Sequence, residues 1–309
     1  MRAAHFQDIS SASTDKIGEV IRSGRTPVLQ FSAPPDAATL KRTDEFCSEF
    51  GAALQIRFFS FQWQEFDTSL LGSLPHLANL SIDTIRTISD FGPVADLTRL
   101  TRLRFAVHEH PNGRFLEELD LARLTHLSLG ENKRRNFDLS PLVTATSLQQ
   151  IFVQGHDRSI EAICALERLS DVSLSGFPKR HDLAFLNSLA SLRSLLLILG
   201  SRSSIAEFTH PGLRKLSIVW VRELEELGPL RRFPNLEDLA IEDQLRLTVL
   251  DVDGLNLRRL TVANCKRLKQ IAGLEGQTRL EHLSVPATAT LGRAGEAIRN
   301  AVARRASAE

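Results

Sequence analysis

One apolar phrase recurs ten times in the middle of the chain and constrains the fold more than any other feature. An apolar residue is followed by two free positions, a second apolar residue, one free position and a third apolar residue, as in Leu77, Leu80 and Ile82. Successive copies begin 21 to 24 residues apart, and the last begins at Leu280. Because a unit this short cannot bury its apolar side alone, its neighbours must stack on it, and the sequence predicts a solenoid of about 11 repeats.

Composition narrows the class of partner and the compartment. The chain has 38 Lys and Arg against 37 Asp and Glu, so its net charge of +1 creates no broad field for a polyanion, and we expect no nucleic-acid partner. No signal peptide and no apolar run long enough to span a bilayer is evident, so we expect no membrane partner. Cys47, Cys164 and Cys265 are odd in number and far apart, which is typical of reduced thiols in a cytoplasmic protein.

The first 52 residues do not follow the repeat. Helical spacing predicts a helix over residues 14–23, Val28 to Phe31 predicts a strand, and Pro34-Pro35-Asp36 opens a second helix that ends at Gly51. We interpret residues 1–52 as an α/β N-terminal cap, since about 50 residues would be marginal as a separate domain. Ile56, Phe59 and Phe61 are expected to be an aromatic version of the repeat phrase, so that the solenoid spans residues 53–287.

Residues 288–309 are predicted to form a C-terminal cap helix and tail. Leu291, Ala294, Ala297, Ile298, Ala301 and Val302 recur at helical intervals with arginines among them. The apolar side is small and rich in alanine, which suits packing on the last repeat. The alternative is a basic helix on a membrane surface, which normally carries bulkier apolar residues.

The repeat phrases resemble the leucine-rich repeat family. The segments Ile88-Ser-Asp-Phe-Gly-Pro-Val-Ala-Asp-Leu-Thr-Arg-Leu100 and Asp138-Leu-Ser-Pro-Leu are similar to the 22-residue subtype of bacterial internalins and phosphatase regulators. The resemblance implies an α/β fold, a right-handed solenoid with a parallel β-sheet on its concave face. The family usually has Asn or Cys three positions after the third apolar residue, and only Asn132 and Cys265 conform. The other equivalents must satisfy backbone groups differently: His108, His156, Phe177, Gly200, Val221 and Gln244.

Alternation along each strand assigns the candidate binding face. The apolar triplets should point into the core and the residues between them toward the open face. The central free position is mostly small: Ser60, Ser81, Ser128, Ser173, Ser217, Ala240, Thr261 and Ser284. Against this background five large apolar residues should form an exposed patch that binds a partner: Phe152, Leu196, Ile198, Val219 and Trp220. The alternatives are a covering segment or a register slip of one residue.

Charged positions on the same face complete the candidate partner-binding set. The acidic residues Asp238, Glu242 and Asp243 are followed one repeat later by Arg258 and Arg259, and Arg102 and Arg104 follow Asp83 near the N-terminal end. These side chains could orient a charged partner. The alternative, which we favour for each pair alone, is solvated pairing between neighbouring strands.

Signals for catalysis or metal binding are weak. His108-Glu109-His110, with His126 and His156 in nearby repeats, matches no established zinc spacing, and we expect an exposed turn there. No phosphate-binding, dinucleotide-binding, zinc-protease or serine-hydrolase motif is found. Cys47 is expected to be a core residue of the cap helix rather than a nucleophile. We expect no cofactor and no metal.

The sequence therefore predicts a non-catalytic module that recognises another protein in the bacterial cytoplasm. It leaves the oligomeric state open, with a monomer favoured. One concrete form is an immunity protein or inhibitor that occludes a toxin or enzyme. The alternative is an adaptor that regulates an enzyme allosterically, as the resemblance to phosphatase regulators implies. A third hypothesis, an enzyme within the N-terminal segment, is disfavoured by the size of that segment.

Overall fold

The computed structural model describes residues 3–60, 62, 65–134, 136–285, 296–300 and 302. The chain forms two compact units, Met1–Leu166 (unit 1) and Glu167–Glu309 (unit 2). Each unit is built around a parallel sheet of short strands, one strand to a repeat, and each is described below by itself.

In unit 1 the parallel sheet has the strand order β1-β2-β3-β5-β7-β8-β9. Its strands are β1 (Ala3–Phe6), β2 (Thr26–Phe31), β3 (Gln55–Phe59), β5 (Asn79–Ile85), β7 (Arg102–Val107), β8 (His126–Leu129) and β9 (Gln150–Gln154). A separate two-stranded sheet joins β4 (Glu65–Phe66) to β6 (Thr87–Ile88). The helices are α1 (Thr14–Arg22), α2 (Ala37–Phe50) and the single turn α3 (Gly92–Ala95).

In unit 2 the parallel sheet has the order β10-β11-β12-β13-β15-β17. Its strands are β10 (Asp171–Ser175), β11 (Ser194–Ile198), β12 (Lys215–Val219), β13 (Asp238–Glu242), β15 (Arg259–Ala263) and β17 (His282–Ser284). The short strands β14 (Val249–Asp251) and β16 (Gln270–Ala272) pair with each other.

Short 3₁₀ turns return the chain from one strand to the next. They are Ile9–Ser11, Gly51–Ala53, Thr68–Ser73, Phe115–Glu118, Leu121–Arg123, Ser140–Thr144 and Ile160–Ala165 in unit 1, and Ala184–Ser188, Leu230–Arg232 and Leu274–Gly276 in unit 2.

The predicted alternation places the leucine triplets in the core. Nine of the ten triplets are fully buried, and only the last, in which Leu283 and Val285 are half-buried, is not. Burial of each such side chain contributes about 1.5–3 kcal/mol relative to exposure, which makes these triplets the main source of stability. Phenylalanine rings reinforce the core of unit 1, where Phe115 lies 4.7 Å from Phe91, 4.8 Å from Phe105 and 4.8 Å from Phe137 between ring centroids.

The three elements expected before residue 52 are present. Helix α1 begins after the cap Ser13, strand β2 ends at Phe31, and helix α2 begins after the cap Asp36 and ends at Phe50. The structure adds strand β1, which the sequence analysis did not anticipate. Whether residues 1–52 act as a cap stays a prediction. Most of the predicted cap of residues 288–309 lies outside the described residues, although 296–300 and 302 are helical.

The predicted register of the first repeat was wrong. Ile56 pairs with Leu80 and Phe58 pairs with Ile82, so Ile56 and Phe58, both buried, are the second and third apolar residues of that phrase. Phe59 consequently points to the opposite side of β3, and Phe61 lies outside the described residues. Ser60 is buried beyond the end of β3, and the central face position of this repeat is Arg57. Two adjacent phenylalanines made the parity of this strand ambiguous.

Other polar side chains replace the expected asparagine ladder. Asn132 donates from Nδ2 to the carbonyls of Val107 and His110, as the family pattern implies. Gln244 does the same from Nε2 to Ile218 and Glu242. His156 pairs with the Gly130 carbonyl through Nε2 and accepts the Phe137 N–H at Nδ1. The prediction that irregular turns satisfy their buried backbone groups differently is confirmed at His156 and Gln244.

Candidate protein-interaction face

The face of each sheet opposite the core carries the side chains between the buried triplets, and we call it the sheet face. In unit 1 the central row across it runs Arg57, Ser81, Arg104, Ser128 and Phe152 in register. In unit 2 the equivalent row is Ser173, Leu196, Ser217, Ala240, Thr261 and Ser284. Small residues therefore alternate with a few large ones, as predicted, although Ser81 is fully buried.

A hydrogen-bonded ion pair organises the sheet face of unit 1. Arg57 donates from Nε and Nη2 to the two carboxylate oxygens of Asp83 at 2.9 and 2.6 Å, and Ser81 Oγ donates to Asp83 Oδ2 at 2.8 Å. Burial alone would raise the pKa of Asp83, but these hydrogen bonds and the charges of Arg57 and Arg104 outweigh it and lower the pKa. Asp83 is therefore ionised at neutral pH and joined to its neighbours by several hydrogen bonds.

The two predicted arginines lie beside this centre. Arg104 is half exposed, and its Nε lies 3.6 Å from Asp83 Oδ2. Arg102 begins strand β7 and is partly buried, and its Nε has no hydrogen-bond partner. The sequence analysis placed both arginines and Asp83 correctly on one face but missed Arg57, because the wrong register of the first repeat assigned Ser60 to that position.

The predicted apolar patch is divided between the units. Phe152 lies on β9 of unit 1, half-buried, next to Ser128 in register. In unit 2, Ile198 and Val219 are register neighbours, and Leu196 lies between Ser173 and Ser217. These three side chains are half-buried. Trp220 is not on a strand: it follows the end of β12 and is 53% exposed.

In unit 2 the residue after each of the strands β10 to β13 and β15 has left-handed backbone. Leu199, Trp220, Asp243 and Asn264 have φ of 61°, 48°, 57° and 54°. Leu199 donates its N–H to the Val219 carbonyl and Trp220 donates to the Glu242 carbonyl, so the ladder continues one residue beyond the strands. Asp and Asn tolerate this conformation, whereas Leu and Trp do not favour it. Leu199 is 41% exposed and extends the patch, which no sequence signal had indicated.

The predicted acidic cluster and its basic neighbours are partly paired. Asp238 and Arg259 are register neighbours, with 3.8 Å between Arg259 Nη1 and Asp238 Oδ2. Arg258 instead bonds Glu281 through Nε and Nη2 at 3.1 and 2.9 Å. Glu242 and Asp243 are half-buried at the end of β13. Asp238 and Arg259 thus pair across neighbouring strands, the favoured alternative for a single pair, whereas the partner of Arg258 lies outside the predicted cluster.

The histidines do not form a metal site within the described residues. The expected exposed turn was wrong for His110, which is 4% exposed and lies among Phe91, Phe105, Phe115 and Phe137. Both of its ring nitrogens lack hydrogen-bond partners, and burial lowers its pKa to about 4. Neighbouring His108 is half-exposed. His110 therefore packs as part of an aromatic cluster. Its position in the polar run His108-Glu109-His110 gave no indication of this burial.

Cys47 is a core residue, as predicted. It is 2% exposed on α2, and burial, followed by the charge of Asp44, raises the pKa of its thiol to about 12. The thiolate required of a nucleophile is therefore scarce at neutral pH. No helix in the described part of the chain is long and apolar enough to cross a membrane.

Comparison with solved structures places this architecture in a known class. The chain is similar to an internalin, InlF, of Listeria monocytogenes, with 17% identity and a TM-score of 0.52 over 86% of this chain and 77% of that one. It also matches the Listeria monocytogenes internalin InlC2 (19% identity, TM-score 0.47, 67% and 84% covered) and a leucine-rich repeat protein of Leptospira interrogans (12%, 0.48, 98% and 88%). No protein-family model matches the chain, and no curated protein matches its sequence.

The chain folds as an α/β leucine-rich-repeat solenoid. The buried triplets, the parallel strand order and the likeness to the first internalin agree on this class. At this level of identity the likeness shows the fold alone, so function has to be argued from the sheet faces.

Proposed function

We propose that this protein is a non-catalytic scaffold that binds a partner protein through the sheet faces of its repeats. The observation that carries the proposal is the pair Leu199 and Trp220, exposed on left-handed backbone beside Ile198 and Val219. Trp is among the residues most enriched at binding hot spots.

Conformation and exposure at these two positions both disfavour their present side chains. Left-handed backbone costs a non-glycine residue about 1–2 kcal/mol. Burial does not repay this cost at Trp220, whose side chain is 53% exposed. Equivalent positions in the same unit are Gly176, Asp243 and Asn264, which suit the conformation. A bulky apolar residue kept at such a position is best explained by a contact with another molecule.

The partner-binding set follows from this placement. In unit 2 the contact is centred on Leu196, Ile198, Leu199, Val219 and Trp220. In unit 1 Phe152 is proposed as a separate contact. Asp238, Glu242, Asp243, Arg259, Arg102 and Arg104 supply charges that orient the partner. A sheet face ordered before encounter avoids much of the entropy cost of binding.

The proposal includes the biological role. We place the protein in the bacterial cytoplasm as a monomer that inhibits a toxin or enzyme by covering its active site, as an immunity protein does. The three cysteines, none of which is in a disulfide, support that compartment. A regulatory adaptor that controls an enzyme such as a phosphatase allosterically would use the same face. A neighbouring gene for a toxin favours inhibition, and co-purification with an active enzyme favours regulation.

The first experiment tests the face with substitutions taken from its own neighbours. Leu196→Ser copies Ser173 and Ser217, which flank it in register, and Trp220→Gly provides a residue that accepts the left-handed backbone. Val249→Ala, at an exposed apolar residue on β14, is the matched control. Affinity for the partner isolated with the native protein should fall at least about tenfold for each face variant, and Tm should stay within about 2 °C.

Two results would contradict the proposal. If both face variants bind the partner with unchanged affinity, the sheet face of unit 2 is not part of the interface. A large fall in Tm would show that these side chains belong to the core instead. The control variant should retain full affinity, because β14 lies outside the large sheet.

A further inference from the structure

A cavity of about 300 Å³ opens on the sheet face of unit 1. Its wall contains Thr26 of β2, Gln55 of β3, Asn79 of β5, Arg102 and Arg104 of β7, and Ser128 of β8. The other lining residues are His126 and the apolar Ala3, Val28 and Leu103, and none of the lining residues is a carboxylate.

Arg102 is the unusual group in this wall. Its Nε is buried with no hydrogen-bond partner, and no ion pair joins it to any carboxylate among the described residues, in contrast to Arg57 and Arg104. Burial lowers the pKa of Arg102, but an arginine remains cationic in proteins. Removing a charged donor from water without a partner destabilises the folded state.

The surrounding charges do not neutralise Arg102. The face positions of β3, β5, β7 and β8 carry three arginines, Arg57, Arg102 and Arg104, and one carboxylate, Asp83. Both oxygens of Asp83 are already bonded to Arg57, and one also accepts from Ser81. The local excess of positive charge is therefore concentrated beside the cavity, although the whole chain has a net charge of only +1.

We propose that this cavity binds the carboxylate of a glutamate or aspartate side chain of the partner protein, with Arg102 as the anchor. A carboxylate matches one guanidinium through two parallel N–H···O bonds. Gln55 and Ser128 line the same cavity and add further polar groups to its wall. A phosphate dianion would be under-coordinated, because the cavity offers one unpaired guanidinium and the nearby backbone N–H groups are used by the parallel ladder.

The experiment uses the full-length protein and a small probe. N-acetylglutamate α-amide carries a single side-chain carboxylate, and N-acetylglutamine amide is its neutral isostere. The two are titrated separately while the Nε–Hε resonance of Arg102 and the backbone amides of Leu103 and Arg104 are followed by NMR. We expect saturable shifts with a Kd of about 1–10 mM for the acid and no saturation for the amide.

Variants identify the anchor. Arg102→Gln should weaken binding at least about tenfold while Tm stays equal or rises by about 1–2 °C, since the buried Nε–H without a partner is removed. Arg102→Lys keeps the charge, loses the planar fork and should bind with intermediate affinity. Arg114→Gln, at an exposed arginine paired with Glu117, is the control and should bind like the native protein. If Arg102→Gln fails to fold, the affinity of Arg102→Lys for the acid, compared with that of the native protein, tests the role of Arg102 instead.

Three outcomes would overturn the proposal: absence of saturation up to about 100 mM acid, equal binding of acid and neutral amide, or tighter binding of inorganic phosphate than of the acid. That the bound carboxylate belongs to a partner protein rests on the proposed function. The titration with the small acid tests the cavity independently of that function. Loss of partner binding in the Trp220 and Leu196 variants tests the scaffold role separately, so either idea can fail while the other stands.

Discussion

Acidification should destabilise this protein in part through the buried His110. His110 lies among four phenylalanine rings whose centroids are 5.2 to 6.4 Å from its own. Neither ring nitrogen has a hydrogen-bond partner, and the side chain is 4% exposed. The folded state therefore admits only the neutral imidazole, and burial lowers the pKa from 6.5 to about 4.

The sign and size of the effect follow from proton binding. Above pH 6.5 His110 is neutral in both the folded and the unfolded chain, so its contribution to the free energy of unfolding is constant. As pH falls from 6.5 to about 4, His110 binds a proton in the unfolded chain but not in the folded chain. The free energy of unfolding therefore decreases over this range. At about 1.4 kcal/mol per pH unit the loss approaches about 3 kcal/mol and levels off below pH 4.

Urea unfolding at a series of pH values between 7 and 4 measures this directly. His110→Phe should flatten the pH dependence relative to the native protein, because phenylalanine fills a similar volume and has no proton to gain. His282→Gln, at an exposed histidine on β17, should keep the native slope. His156, whose pKa is also lowered chiefly by burial, is common to all three proteins and cancels in the comparison. An unchanged slope in His110→Phe would refute the assignment of a buried neutral imidazole.

Three further predictions concern other parts of the fold. Asp83→Ala should lower the free energy of unfolding by about 2–4 kcal/mol at pH 7, measured by urea titration, because it leaves Arg57 without its bidentate partner; equal stability would place that pair in solvent. Gln244→Ala should lose about 2 kcal/mol, since two backbone carbonyls lose their donor, while Gln244→Asn should recover part of this loss in the same assay. A thiol reagent should modify the native protein at Cys164 before Cys47, as followed by peptide mass spectrometry, because Cys47 is buried with a raised pKa; the reverse order would contradict its core position.

Much of the fold could be predicted from the sequence because one signal repeats. Each leucine triplet is ambiguous alone, but ten at nearly constant spacing fix the strands, their parallel order and the buried side of each. The same regularity placed Leu196, Ile198 and Val219 on the sheet face. Helix α1 was predictable from the helical spacing of its apolar residues and helix α2 from Pro34-Pro35-Asp36, and the structure shows Ser13 and Asp36 as their N-caps.

The sequence-based predictions failed where a residue's position depends on contacts with other repeats that its local sequence does not reveal. At the first repeat, adjacent Phe58 and Phe59 allowed either parity, and only pairing with Leu80 and Ile82 decides between them. The slip concealed Arg57 and with it the ion pair to Asp83. His110 could not be assigned from spacing, because its aromatic neighbours come from several repeats. Left-handed backbone at Leu199 and Trp220 was likewise invisible, since neither residue type favours it.

Site-specific photo-crosslinking tests the central claim most directly, which is that the sheet face of unit 2 contacts a partner protein. A photoreactive phenylalanine analogue replaces Leu196 on that face or, in a second protein, Val249 on β14. Irradiation in the native host should yield an adduct with one defined partner from position 196 and none from position 249. Adducts from position 249 alone would place the interface elsewhere on the molecule and contradict the account.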